Sequence, residues 1–272
     1  IMLFVDDLGY GDLGFTGHPT TRTPNIDRLA FGGKVLTSWY SGCPVCSGSR
    51  AALMTGRQYA RLGVPGVFGP TESVGLPLNE TTLAEQLKKG KDYVTAAVGK
   101  WHLGQREAYL PRSRGFDYYL GVPYSVDMGA AKASSCNNGS STPSGVVEKE
   151  IKGEDQEEED PPEDPAGKFL PLVYQDPVKG TRVLEQPLDL THLAEKYSAF
   201  AVDFVNQNKD RPFFLYVPFS HVHTTEPNQP GRQYAGCAWR NATQRGPFGD
   251  ALAEADWIVG NILEALQSAG LE

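Results

Sequence analysis

Three short apolar runs constrain this chain more than any other feature: "IMLFV" at residues 1–5, "YVTAAVG" at 93–99 and "RPFFLYVPF" at 211–219. Each reads as a buried strand, the first closed by Asp6-Asp7 and Gly9. Helical spacing fills the intervals, in "NIDRLAFGG", "SRAALMTGR", "TTLAEQLKKG" and "LTHLAEKYSAFAVDFVNQN". In the third of these, Thr81 or Thr82 reads as the cap, Lys88 and Lys89 fill the last turn and Gly90 is the stop. The closing stretch, "DALAEADWIVGNILEALQSAG", sets Leu252, Ala255, Val259, Ile262, Leu263 and Leu266 along one side of a helix. Strands alternating with helices predict an α/β fold, a mostly parallel sheet sandwiched by helices.

In such sheets ligands bind beyond the carboxyl ends of the strands. Asp6-Asp7, Gly99-Lys100-Trp101-His102 and His221-Val222-His223 each follow a predicted strand, so all three clusters belong on one rim. Residues 129–168 break the pattern with Ser, Asn, Gly, Pro and acidic runs and read as a mostly disordered surface insert. The net charge of −8 is concentrated there: residues 148–164 hold ten acidic and two basic side chains, leaving 23 of each sign elsewhere. The remaining body therefore has no polybasic signature for nucleic acid. At 272 residues and 40% hydrophobic, the chain can bury one large core or two small ones. No run of 18 apolar residues suggests a transmembrane segment, and no charged leader precedes "IMLFV". Sequons at Asn79, Asn138 and Asn241 lean toward a secretory route.

The chemistry-bearing residues each have two readings. Asp6-Asp7 at a strand end supplies compact negative charge for a hard cation such as Ca²⁺ or Mg²⁺, or forms a turn or capping pair. Cys46 begins a helical run, where the positive end of the helix dipole favours a reactive thiolate; it also reads as a buried structural cysteine or as a partner for Cys43. Zinc fits poorly, since no second cysteine pair exists. Lys100 and His102 share one face of an extended backbone and suit an anionic group, as do His221 and His223. Either pair also reads as polar residues at a strand exit.

The blocks "LFVDDLGYGDLG", "TPNIDRLA", "CSGSRAALMTGR", "VGKWHLG", "GFDYYLGVPYS" and "RPFFLYVPFSHVH" occur in this order. Together they resemble the N-terminal catalytic half of the sulfatases, closest to arylsulfatase A and the galactosamine sulfatases. The resemblance covers nearly the whole chain outside the insert. It implies a sulfuric ester hydrolase in which a cysteine is converted to formylglycine by a formylglycine-generating enzyme, the hydrated aldehyde serving as nucleophile. That cysteine aligns with Cys46, and Arg50 with the signature arginine that steadies it. Asp6, Asp7 and the residue at 46 match metal ligands for Ca²⁺ or Mg²⁺. His102 matches the residue that contacts the nucleophile and assists sulfate release. Lys100, Ser125 and His223 match the positions that hold sulfate. The implied partners are a sulfated small molecule, glycolipid or glycan, and the implied compartment is lysosomal or extracellular. With Cys46 converted, three cysteines remain and at most one disulfide forms; Cys136–Cys237 is expected, since both lie in loop-like, sequon-containing regions.

The chain departs from the family pattern at three points, one of them the acidic insert after Ser125, for which the family gives no role. Gly48 stands where the signature has proline, which loosens the motif before folding. The sequence also ends at "EALQSAGLE", ahead of the Asp-Asn strand and second lysine that complete the family's site, so residues 1–272 are expected to be an incomplete catalytic domain, inactive alone. Two further readings follow: a degenerate protein that binds sulfated glycans without turnover, supported by Gly48, and a phosphate or phosphonate monoester hydrolase sharing the fold.

Overall fold

The computed structural model of the protein describes residues 1–132, 136, 167–226 and 233–271. Most of the predicted disordered insert lies outside the described residues. Its two ends are joined, however: Ala130 N–H donates to Lys168 O and Leu170 N–H to Ala130 O, at 2.8 and 2.9 Å.

One six-stranded sheet organises the molecule. Its strands are β1 (Met2–Phe4), β2 (Val94–Val98), β3 (Tyr118–Gly121), β4 (Leu172–Asp176), β5 (Gly180–Glu185) and β6 (Phe213–Pro218), in the spatial order β1-β6-β2-β3-β4-β5. The first four in that order run parallel; β4 and β5 form an antiparallel extension. The α/β expectation therefore holds, with a two-stranded hairpin that the apolar runs did not reveal.

Alternate residues of the central strands face opposite layers, as strand geometry requires. Ala96, Val98, Leu120, Leu215 and Val217 meet the helices α4 (Leu193–Asn208) and α5 (Gly246–Ser268). Ala97, Tyr119, Phe214 and Tyr216 turn the other way, onto Ala51 and Met54 of α2 (Cys46–Thr55) and Ala84 of α3 (Leu83–Lys91). With both faces covered, β2 and β6 can be almost wholly apolar, Thr95 being the buried polar exception in β2. The remaining helix, α1 (Pro24–Gly32), docks against α5, where Asp256 accepts the main-chain N–H groups of Asn25 and Ile26.

One local expectation is corrected and another holds. Thr82 caps α3 in a full capping box with Glu85, but Gly90 does not stop it; the helix runs to Lys91 and ends at Asp92 in the left-handed region. The placing of Cys46 at a helix start holds: α2 begins at Cys46 itself, so the cysteine is the first helical residue.

Candidate active site

The carboxyl ends of the four parallel strands deliver the predicted side chains to one place. Asp6 follows β1, Lys100 and His102 follow β2, Ser125 follows β3 and His223 follows β6. The segment after β2 is wedged between its neighbours: Lys100 N–H donates to Pro218 O at 2.7 Å, Trp101 N–H to Val122 O at 3.0 Å and His102 N–H to Pro123 O at 3.0 Å. Gly99 makes that wedge possible, since at its φ of +134° a Cβ would lie 1.9 Å from Pro218 O.

Lys100 is the hub. Its buried Nζ donates to Asp6 Oδ2 at 2.5 Å, to Ser125 Oγ at 2.9 Å and to Cys46 Sγ at 3.2 Å. The thiol of Cys46 lies 3.7 Å from Asp6 Oδ1, and Arg50, one turn further along α2, brings its Nη2 to 3.4 Å from the same oxygen. Arg50 also donates to Lys100 O at 2.5 Å, so α2 and the strand exit are fastened together. Burial alone pushes the Asp6 carboxyl up, but the adjacent Arg50 and Lys100 cations outweigh it and hold the group down at about 2.

His102 occupies the left-handed region at φ 56°, and its Nε2–H donates to Phe68 O at 2.9 Å. The Phe68 N–H in turn donates to Ser47 Oγ at 3.2 Å, which ties the imidazole to the first turn of α2. Burial, then the Lys100 and Arg50 charges, keep this ring neutral well below the ordinary histidine value. His223 lies under the opposite influence. Burial disfavours its charge, but the Cys46 contact, Asp6 and the Thr224 carbonyl more than offset burial and Lys100, raising it to about 9.

Asp6, Cys46 and His223 bring one ligand atom each within 4.8 Å of one another. Asp7 stands at the margin of that group. Its backbone is left-handed at φ 57°, its side chain is 59% exposed, and its Oδ2 is 3.4 Å from His223 Nε2. His221 and His223 do not share a face: His221 turns inward to Glu254, while His223 stays on the rim. Sequence reasoning missed the Phe68 carbonyl and Asp127, whose Oδ1 lies 3.9 Å from His223 Nδ1. A carbonyl leaves no residue-type signal at all, and Asp127 lies two residues past Ser125, just outside the block "GFDYYLGVPYS".

Among the described residues, Nε of Arg50 and Nδ1 of His102 are buried without a hydrogen-bond partner, in a structure class where such atoms are rare. Both side chains lie among the charges of the Asp6 and Lys100 cluster, where a further polar group would find partners. The Sulfatase family model matches residues 1–272. The chain belongs to the sulfatase family. It is 40% identical to human arylsulfatase A over 278 residues, covering 100% of this chain and 49% of that protein. Against dog (Canis lupus familiaris) arylsulfatase G the identity is 37% over 274 residues, again spanning 100% of this chain and 48% of the relative. A solved structure of PsFucS1 sulfatase from Pseudoalteromonas sp. superposes with a TM-score of 0.77 at 29% identity, covering 99% of this chain and 52% of that one. The chain thus spans about half the length of the curated relatives it matches. No helix among its described residues is long and apolar enough to cross a membrane.

Proposed function

We propose that residues 1–272 are the catalytic portion of a sulfuric ester hydrolase, with Cys46, Arg50 and His102 as catalytic residues and Lys100, Ser125 and His223 holding the sulfate. The observation that carries this reading is the meeting of Lys100, Asp6 and Cys46 at the start of α2, with Lys100 Nζ 3.2 Å from Sγ and 2.5 Å from Oδ2. A sulfate monoester carries negative charge on oxygens that Lys100, Arg50 and charged His223 are placed to bind, with Lys100 and Arg50 buried where each contact is strengthened. Neutral His102 presents Nδ1 as a proton acceptor, and its Nε2–H stays committed to Phe68 O. Ser125, fixed by Lys100, supplies a hydroxyl to orient a sulfate oxygen.

Formylglycine derived from Cys46 would supply an oxygen nucleophile at this point in place of a thiol. With an oxygen at position 46, the carboxylates of Asp6 and Asp7 would contribute part of an all-oxygen donor set of the kind Ca²⁺ or Mg²⁺ prefers, and the cation would polarise bound sulfate. Membership in the sulfatase family favours sulfate over phosphate or phosphonate esters. The substrate class is a sulfated small molecule, glycolipid or glycan, and a formylglycine-generating enzyme is the implied partner during synthesis. The route is secretory, to the lysosome or the extracellular space. It is supported by the Cys136–Cys237 disulfide, with Cα atoms 5.4 Å apart, and by sequons at Asn79 and Asn241, both exposed.

Peptide mass spectrometry of the full-length protein from a secretory host tests the reading directly. An aldehyde at residue 46 and turnover of nitrophenyl sulfate in preference to nitrophenyl phosphate are expected. An intact thiol in every molecule, or preference for phosphate, overturns it.

A further inference from the structure

Behind the rim lies a buried trio that the proposed chemistry does not use. His221 is fully buried, and Glu254 and Tyr234 are each 1% exposed. The Nε2–H of His221 donates to Glu254 Oε2 at 3.0 Å, and the Tyr234 hydroxyl donates to Nδ1 at 3.2 Å. The two rings lie with centroids 4.5 Å apart. The second Glu254 oxygen accepts Gly236 N–H at 2.9 Å, next to the disulfide-bonded Cys237. One α5 carboxylate therefore holds both the exit of β6 and the disulfide-bearing stretch beyond it.

The main chain of the same histidine grips Asp6. Asp6 N–H donates to His221 O at 2.8 Å, and Val222 N–H donates back to Asp6 O at 2.7 Å. His223 follows at the next residue. A tilt of His221 would therefore move the Asp6 carboxylate and the His223 ring together.

We propose that Glu254 and Tyr234 are positioning residues: they set the tautomer and orientation of His221, and through the paired His221–Val222 bonds to Asp6 they fix two members of the site at once. A hydrogen bond on one ring nitrogen decides the state of the other, which is how outer partners orient a histidine. A buried charged group is a poor source of net stability compared with apolar side chains of similar volume, so its use here points to geometry. The catalytic consequence rests on the sulfatase reading; the geometric one does not.

The test uses full-length protein and the variants Glu254→Gln, Glu254→Ala and Tyr234→Phe. Asp256→Asn, which loosens the α1 contact on the same helix, is the structural control. Amide exchange at Asp6 and Val222 is expected to accelerate about tenfold relative to Leu215 and Tyr216 in β6, and kcat on nitrophenyl sulfate to fall about ten- to a hundredfold in Glu254→Ala. Tyr234→Phe should lose about threefold, the size of one neutral hydrogen bond, and Glu254→Gln should recover part of the loss. Asp256→Asn should lower the melting temperature with kcat retained. If Glu254→Ala does not fold, Tyr234→Phe carries both readouts. Unchanged exchange at Asp6 and Val222 in the folded variants, or kcat losses that merely follow melting temperature as in the control, overturn the proposal. Wild-type protein that cleaves no sulfate ester removes the functional reading, and the exchange measurement alone then decides the positioning role.

Discussion

At position 48 a Cβ would meet Cys43 Sγ at 2.6 Å, Cys43 Cβ at 3.1 Å and Val64 O at 3.3 Å. Glycine in place of the signature proline is thus matched to the buried thiol of Cys43, and the two positions are coupled. Gly48→Ala is expected to cost about 1–3 kcal/mol by overpacking. Cys43→Ala should return part of that cost, read as a positive coupling in a denaturant double-mutant cycle; additive losses would show the contact to be harmless. Titration at His102 has an equally local sign. Its folded value is depressed below 6.5, so above 6.5 neither state binds the proton and the group leaves stability unaffected. As pH falls below 6.5 the unfolded chain takes up the proton first and stability drops. His102→Gln should therefore shrink the fall in melting temperature between neutral and mildly acidic solution. Asp6, depressed to about 2, contributes stability above its unfolded value near 3.8 that is lost as pH falls through about 2.

Helix α3 shows how an element takes its limits from more than its own pattern. The Thr82 hydroxyl accepts from Glu85 N–H at 3.2 Å and donates to Arg114 O at 2.8 Å, so one side chain both starts the helix and binds it to a neighbouring segment. Thr82→Ala is expected to cost about 1–2 kcal/mol, at the upper end for an N-cap, measured by urea unfolding. The disulfide acts on a longer element. It closes a separation of 101 residues between the insert and the stretch held by Glu254. Cys237→Ser should lower stability by about 2–4 kcal/mol in the oxidised protein, with no comparable change when both forms are studied under reducing conditions.

On the scale of the whole molecule, the sheet ends at β1, and among the described residues no strand lies outside it. Beside α1 and the start of α2, Phe31, Leu36, Trp39 and Tyr40 are 79, 56, 73 and 82% exposed. A strand at the edge of the sheet and a cluster of exposed apolar residues favour association. Residues 1–272 produced alone should self-associate in light scattering, and Trp39→Lys with Tyr40→Glu should reduce this; a monodisperse monomer before substitution would contradict it. The sequence by itself determined the alternation of strand and helix and the rim on which Asp6, Lys100, His102 and His223 meet, because periodicity and strand ends are local properties. The sulfatase blocks went further and named Cys46, Arg50 and Ser125 by resemblance. Only the tertiary structure decided that Gly90 stays within α3, that β4 and β5 extend the sheet, that Gly48 faces Cys43, and that His221 turns inward to a glutamate 33 residues away. Each of these depends on what a distant segment brings against the residue, and no short window of the chain contains that information.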